Sequence, residues 1–541
     1  MRITNKVMQN NSLSNINTNK RLQDQLNTQM ATEKKINRPS DDPVVAIRAL
    51  RLRTNVSQIT QYYDKNSKDA KSWLSVTEDA LTTVSSVIED LIEQTTKGSN
   101  ENLTSSDRKT ILDALASLRD EVYATGNADY AGRSIFTGYR TDTSLKFKAD
   151  TEKRYSITEQ ITSGDIDTIK YVKTGLLNSI NDSNFMVDET NGGQNPGKDY
   201  KDVTEQEVVE SSIYRIRLAY SDVDGVDDGL TGNATGAIPT IQYYDPTLNN
   251  NEGGYVALNI APKIASVNDE ESPYEQVDPD GMVLIKETGE LLLGENVYKK
   301  LMEQEDNVNT VFDETSLLVT YEKSNWEKDD LRPEHYFKCV DLSDTTDVVT
   351  YNADYIVPGE KVEKQVIEYD IGMNQTIQVN TTADEVFVHA IGRDVDDMIS
   401  AMQEVVDMEE TVARLESMAA DAKYGEADRK IINQQLAAAK KALTYLDEKA
   451  QKLFESSISK MQGHLDTANL ATTNCGTRGM KLELIQNRLM SQKTNFENLE
   501  SENENVDVTE VAVKLTSAEL TYEAALMATG KIMQTSLMNY I

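Results

Sequence analysis

The chain has 541 residues, a formal net charge of -35 at pH 7 and only 6% aromatic residues. Its mean hydropathy is -0.54, so much of its surface should be solvated. A strongly acidic surface repels nucleic acids and anionic membranes, so we expect neither as a partner. We find no apolar run long enough to span a membrane. The polar stretch after Met1 indicates no cleaved secretory signal.

The first segment, residues 1–36, carries widely spaced apolar residues separated by Asn and Gln. It predicts a thin amphipathic helix that cannot bury a core by itself. A helix-break motif follows, formed by Asn37, Arg38, Pro39, Ser40, Asp41, Asp42 and Pro43. Pro39 disfavours helix at Arg38, whereas Ser40 and Asp42 are good N-caps and Pro43 suits a first helical turn. The motif therefore predicts the end of one helix and the start of the next.

A long helix is predicted from residue 44 to about 97, because apolar residues recur there at heptad spacing. At 1.5 Å per residue it would be a rod of roughly 75–80 Å. Thr104 and Asp107 predict a capping box at the start of another helix. Residues 130–139 mix turn glycines with aromatic residues and predict a short hairpin.

The middle of the chain, residues 146–390, has a different composition and holds most of the prolines and glycines. In residues 214–220, large apolar or aromatic residues alternate with Arg215, Arg217 and Ala219, which predicts a strand. Residues 278–281, Asp-Pro-Asp-Gly, predict a turn before an apolar strand. Another pair of strands is predicted on either side of residues 372–374. We interpret this segment as a β-rich insertion of one or two subdomains.

Helical periodicity returns near residue 394, is interrupted at Gly425 and continues to the acidic stretch 501–505. The last segment again carries apolar residues at heptad spacing. We predict that this face is an assembly surface for the N-terminal helix and for adjacent subunits. The predicted interface residues are Leu13, Ile16, Leu26, Val508, Val511, Leu515, Ala518, Tyr522, Ala525 and Ile532.

The predicted fold is α+β, with a long antiparallel α-helical bundle or coiled coil built from both chain ends and a β-rich inserted domain. The terminal coiled-coil helices would comprise residues 1–36 and 505–541. A helical rod with the hairpin would comprise 37–145 and 391–504, and the insertion 146–390. We expect the terminal helices to be disordered in the monomer and to pair with each other and with neighbouring copies.

The sequence indicates no catalytic, cofactor-binding or metal site. His335 and Cys339 are four residues apart, but two ligands without a second pair are a weak indication of zinc. The acidic loop 222–228 lacks the residue order of a calcium loop. Cys339 and Cys475 do not suggest a disulfide framework.

The helix-break motif resembles the loop after the first helix of bacterial flagellar hook-associated proteins. Other stretches are similar to the hook-associated protein 3 family, and the resemblance covers roughly residues 1–145 and 365–541. The stretches that carry it are residues 62–66, 73–81, 132–139, 367–372 and 536–541. Residues 150–365 match no family that we can name.

The resemblance implies a structural protein of the hook–filament junction, exported unfolded through the flagellar type III channel. The implied partners are another junction protein (of the hook-associated protein 1 type), flagellin, copies of the chain itself in a ring, and an export chaperone at the C-terminal helix. Two alternatives stay open. One is a flagellin, against which the loop 37–43 and the chain end argue. The other is a flagellin-like carrier with an enzymatic or binding insertion.

Overall fold

Helices occupy both ends of the chain and strands occupy its middle, so the predicted α+β class is confirmed. The computed structural model describes residues 5–100, 103–185, 203–224, 239–245, 254–258, 260–269, 271–303, 317–344, 346–356 and 365–538. The chain divides into two compact units. We call Met1–Lys71, Glu368–Ile377 and Arg478–Ile541 the terminal unit, and Ser72–Ile367 with Gln378–Thr477 the central unit. The three predicted domains follow other boundaries and stay a prediction.

The N-terminal part of the chain is helical almost throughout. Its elements are α1 (Asn5–Thr32), α2 (Pro43–Thr60), a π-helical turn (Gln61–Asn66), α3 (Ser67–Gly98) and α4 (Ser105–Thr125). The predicted long helix is therefore confirmed, with one widened turn inside it. The capping box at the start of α4 is also present, because the Thr104 hydroxyl accepts the Asp107 N–H at 3.3 Å and Asp107 accepts the Thr104 N–H at 3.1 Å.

Short strands and one short helix follow. The elements are β1 (Asp129–Tyr130), β2 (Arg133–Ser134), β3 (Thr151–Ile161), β4 (Ile166–Val172), β5 (Glu210–Arg217), β6 (Thr240–Asp245), β7 (Gly254–Ala257), β8 (Lys263–Ala265), β9 (Met282–Ile285), β10 (Glu290–Leu293), α5 (Glu295–Glu303), β11 (Leu317–Trp326), β12 (Lys338–Asp341) and β13 (Val349–Tyr351). β1 and β2 form the predicted hairpin, and β5 and β9 lie where strands were predicted.

Within the described residues the insertion forms two larger sheets. One has the strand order β4-β5-β10-β9-β8, in which β8 and β9 are parallel and the other pairs are antiparallel. The other has the order β13-β12-β3-β11-β6-β7 and its pairs are antiparallel. Trp326 at the end of β11 is buried among the rings of Phe147, Tyr155 and Tyr220, so it has a packing role in this sheet.

Helices return after a last hairpin. The elements are β14 (Glu368–Gly372), β15 (Gln375–Gln378), α6 (Ala383–Val386), α7 (His389–Ala420), α8 (Glu426–Glu504) and α9 (Val508–Met538). β14 and β15 are the predicted strand pair. The helical pattern predicted after Gly425 becomes the single 79-residue helix α8.

One apolar core of the central unit lies where α7 faces α8. Most of the predicted stripe on α7 is buried there, including Val405 and Leu415, both 0% exposed. Both residues share one apolar cluster with Ala442 and Leu446 of α8. This packing explains why a helix with an ordinary heptad stripe is stable in this unit.

Candidate assembly interface

The two terminal helices, α1 and α9, pack against each other within the terminal unit. Their contact is a narrow apolar cluster in which Leu26 of α1 and Val511 and Ala518 of α9 are buried. Val506 and Leu515 are partly buried against it. So thin a seam buries little apolar surface, and its contribution to stability is correspondingly small.

The predicted interface residues have different surroundings. Leu26, Val511, Leu515 and Ala518 come together in the narrow cluster described above, whereas Leu13 is 54% exposed and Val508 is 43% exposed. Partly buried positions on the two helices are Ile16, Tyr522 and Ala525. Ile532 belongs to α9, but its side chain lies outside the described residues. Use of these residues by a second subunit stays a prediction.

A second heptad row lies on α9, which the sequence analysis did not identify. Val513, Leu520 and Met527 follow one another at intervals of seven residues and are 67%, 63% and 67% exposed. At 100° per residue they lie on the side of α9 opposite Val511 and Ala518. We call these three residues the outer seam. The spacing of seven residues is visible in the sequence and could have identified this row.

Another exposed apolar row follows the helix-break motif. Val44, Ile47 and Leu50 occupy one side of α2 and are 68%, 56% and 62% exposed. The opposite side of α2 is closely packed, since Ala46 and Ala49 are buried. The terminal unit therefore presents large apolar side chains on both α2 and α9, which is unusual for a soluble surface without partners.

The helix-break motif is held by its two aspartates in different ways. Asp42 is the N-cap of α2, and its carboxylate accepts the Val44 and Val45 N–H groups at 3.0 and 3.1 Å. Asp41 closes the preceding turn, because its carboxylate accepts the N–H groups of Asn37 and Arg38 at 3.2 and 2.9 Å. The predicted start of α2 at Asp42 and Pro43 is confirmed. Pro39 and Ser40 lie exposed in the turn.

The break between α1 and α2 lies beside the break between α8 and α9. The Lys35 N–H donates to the Glu504 carbonyl at 2.7 Å, and the Val506 N–H donates to the Glu33 carbonyl at 3.0 Å. Between them, Lys34 and Asn505 form an antiparallel bridge. Two polar breaks far apart in sequence thus pair through their backbones. The end of α1 and the end of α8 therefore lie side by side.

Glu504 joins this pairing to α2. Its carboxylate accepts two hydrogen bonds from Arg53, at 2.6 and 2.5 Å, and lies 3.4 Å from the Lys34 ammonium. The Glu504 side chain is only 4% exposed. The Arg53 hydrogen bonds, helped by the charges of Arg53 and Lys34, hold the pKa of Glu504 below its ordinary value although burial opposes this shift. The sequence showed only an acidic stretch here and did not single out Glu504.

The π-helical turn fastens the strand β14 to the terminal unit. The Asn66 amide donates to the Asp370 carbonyl at 2.7 Å, and the Tyr369 hydroxyl donates to the Asp69 carboxylate. Asp64 in the same turn pairs with Lys493 of α8 at 2.5 Å. Widened turns of this kind often mark functional positions in helices. Here the turn places Asn66 against β14 and Asp64 against α8, and Asp69 at the start of α3 adds a second bond to β14.

The described residues hold no candidate metal site and no helix suited to cross a membrane. Among the parts of the chain that the structure describes, no group of three or more His, Cys, Asp or Glu side chains is placed to hold a metal ion. Asp227 and Asp228 of the acidic loop lie outside those parts. None of the described helices combines the length and apolarity that crossing a bilayer requires.

Comparison with known proteins shows that parts of the chain are similar to flagellar proteins. Residues 3–141 match the bacterial flagellin N-terminal helical region. Flagellar hook-associated protein 3 of Salmonella typhimurium is 30% identical over 185 residues, which are 33% of this chain and 58% of that protein. The flagellin of Clostridium tyrobutyricum is 27% identical over 127 residues, which are 24% of this chain and 33% of that protein. The chain thus spans less than two thirds of either relative.

The solved structure of FlgL from Xanthomonas campestris has a TM-score of 0.25 and 10% sequence identity, and the match covers 81% of this chain and 98% of that one. The sequence matches confirm the resemblance that the motifs indicated. The chain is flagellin-like over residues 3–141. More particularly, it is similar to flagellar hook-associated protein 3.

Proposed function

We propose that the chain is a structural adaptor of the bacterial flagellum at the hook–filament junction. It polymerises through its terminal helices, connects the hook side to flagellin and carries out no catalysis. The observation that carries this proposal is the outer seam of α9, because three large apolar residues at heptad spacing lie exposed opposite the face that α1 covers. A coiled-coil seam of this kind is buried when a further helix packs on it.

The partners follow from the same proposal. A neighbouring copy in a ring covers the outer seam, while another junction protein of the hook-associated protein 1 type lies on the hook side and flagellin on the filament side. An export chaperone binds the C-terminal helix before assembly, and the chain travels through the flagellar export channel without a cleaved signal. The similarity to hook-associated protein 3 and the thin α1–α9 cluster support this order of events.

The decisive experiment places charge in the outer seam without touching the α1–α9 cluster. The variant Leu520→Asp with Met527→Asp buries two carboxylates in any helix contact on this side, which costs several kcal/mol. The matched control is Thr521→Asp with Ala528→Asp, because these exposed positions are also seven residues apart on α9. In a strain lacking the chromosomal gene, we expect the control to restore filaments. The seam variant should leave hooks without filaments and flagellin in the medium.

Normal filaments from the seam variant would contradict the proposal. If the variant protein stays folded but remains in the cell, the seam instead belongs to chaperone recognition. The strain with no copy of the gene separates the proposal from the alternative of a flagellin, which has 27% identity over a shorter match. If the chain is the flagellin, that strain has no flagellin in the medium, whereas the proposal predicts flagellin there.

A further inference from the structure

A cleft of about 400 Å³ lies in the central unit between one end of the five-stranded sheet and helices α7 and α8. Its volume is in the range of small-molecule sites. The sheet contributes residues 167–171 of the edge strand β4, and the segment before β9 contributes Tyr274. The helices contribute Asp397 and Glu404 from α7 and several lysines from α8.

The base of the cleft is a buried network of charges centred on Arg215. This side chain is 5% exposed and pairs with Asp167 at 2.7 Å, with Asp397 at 2.6 Å and with Glu290 at 2.5 Å. Burial raises the pKa of Glu290, but the charges of Arg215 and Arg217 outweigh it, so the pKa lies below its ordinary value. A satisfied network of this kind is rigid and joins β4, β5 and β10 to α7, so the wall of the cleft is preorganised.

Two tyrosines form an aromatic wall beside this network. The rings of Tyr171 and Tyr274 are stacked, with centroids 5.0 Å apart and an angle of 18° between their planes. Their hydroxyl groups are fixed, since Tyr171 donates to Glu275 at 2.9 Å and Tyr274 donates to Glu290 at 2.6 Å. Both rings are partly buried and line the cleft. Such a fixed aromatic surface suits the apolar face of a ring-shaped ligand.

Four lysines surround the opening: Lys170 on β4 and Lys449, Lys452 and Lys460 on α8. Lys170, Lys449 and Lys460 each pair with one carboxylate, at 2.5, 2.6 and 2.8 Å respectively. An ammonium group has three donors, so a single carboxylate leaves others available. The cleft is lined by four carboxylates and by five cationic side chains, so its charge is close to balanced in a chain with 90 acidic and 55 basic residues.

We propose that this cleft binds an anionic saccharide. The sulfate or carboxylate groups of the sugar contact the lysines at the opening, and a sugar ring packs against the tyrosine pair. One feature separates this ligand from inorganic anions, because a simple inorganic anion would make no use of the aromatic wall. The inference is independent of the assembly role.

The test uses the full chain and isothermal titration calorimetry. The probes are a sulfated tetrasaccharide, a uronic-acid tetrasaccharide, an unsulfated neutral tetrasaccharide and inorganic sulfate. We expect saturable, salt-sensitive binding of at least one anionic tetrasaccharide. The variant Lys452→Ala with Lys460→Ala should weaken it at least tenfold. Lys440→Ala is the control, because Lys440 is 54% exposed on the same helix and pairs with Glu416 at 2.7 Å outside the cleft.

A second variant, Tyr171→Ala, separates ring packing from charge. It should weaken the anionic tetrasaccharide and leave inorganic sulfate unchanged. Equal binding of neutral and anionic tetrasaccharides, equal weakening by Lys440→Ala, or sulfate bound as tightly as the saccharide would each overturn the proposal, as would no binding at all. Lys452 is 59% exposed and lies 3.8 Å from Glu448, so the single variant Lys452→Ala should melt with the wild type and still weaken binding, which decides the matter even if Tyr171→Ala folds poorly.

Discussion

Helices α7 and α9 have nearly the same length, 32 and 31 residues, and both carry apolar residues at heptad spacing. Their burial differs sharply. On α7 most of the stripe is enclosed, and Val395, Met402 and Leu415 are 0% exposed. Among the described side chains of α9, Val511 and Ala518 are buried, and large side chains such as Leu520 lie exposed. The comparison shows that apolar periodicity predicts a helix without telling whether its own chain covers it.

The difference is one of partner surface. α7 packs in a unit that also contains α4, α8 and a sheet, and its side chains find apolar neighbours on several of them. The described part of α9 finds its apolar neighbours chiefly in a cluster with α1. Because stability follows the apolar area removed from water, α7 should be stable in the isolated chain and α9 only marginally so.

Amide exchange on the isolated monomer should show the largest contrast. We expect α1 and α9 to open at a cost below about 3 kcal/mol, and α7 to open only with global unfolding, at about 5–15 kcal/mol. Hydrogen–deuterium exchange read by mass spectrometry would resolve the two helices. Strong protection across residues 508–531 would break the comparison, because it would mean that the terminal pair is stable without neighbouring subunits.

Matched leucine truncations, Leu415→Ala and Leu515→Ala, sharpen the same contrast. Leu415 is fully buried, so its truncation should cost about 2–5 kcal/mol of unfolding free energy through lost burial and a cavity. Leu515 is partly buried at the edge of a thin cluster, so its truncation should cost less than about 1 kcal/mol. Urea unfolding followed by circular dichroism measures both. Equal losses would show that α9 contributes as much to the folded monomer as α7.

Replacing Glu504 by Gln tests the link between the two helix breaks. The loss of charge-assisted bonds from Arg53 and of the Lys34 contact should cost about 1.5–3 kcal/mol locally. Because the folded pKa of Glu504 is depressed, its stabilisation is present above its ordinary pKa and is lost as pH falls through the folded value.

Wild-type exchange at residues 33–36 should therefore accelerate on acidification, beyond the intrinsic effect of pH, while the Gln variant exchanges fast throughout. A Gln variant with the same acid response as the wild type would assign that response to other carboxylates.

A somewhat smaller loss than that of the Glu504 variant is expected at the helix-break motif. Changing Asp41 and Asp42 to Ala, with Pro43 kept, should cost about 1–2 kcal/mol of local stability, because Asp42 caps α2 and Asp41 closes the turn. Asp42→Asn is the control, since the amide oxygen can still accept the Val44 and Val45 N–H groups. Thermal unfolding read at α2 would show the loss, and an unchanged transition in the double Ala variant would contradict the capping role.

Local signals in the sequence predicted a large part of this molecule. The Asp42 cap, the Thr104–Asp107 capping box and the stripe on α7 all depend on residues a few positions apart, so their patterns can be read directly. The α+β class followed from where such patterns stop, near residues 146 and 390. The apolar row of α9 that packs against α1 was also predicted, whereas the outer seam on the opposite side of α9 was not.

Only the tertiary structure decided which polar residues matter. Glu504 looked like one acid in an acidic stretch until the fold placed it beside Arg53, 451 positions away in sequence. The cleft was also decided by the tertiary structure, because Tyr171 and Lys449 line it although they belong to a strand and to a helix far apart in sequence. Periodicity is a property of neighbouring residues, whereas a charge network or a cleft depends on which elements pack together. That packing is set by burial across the whole unit, so the sequence pattern around each residue could not reveal it.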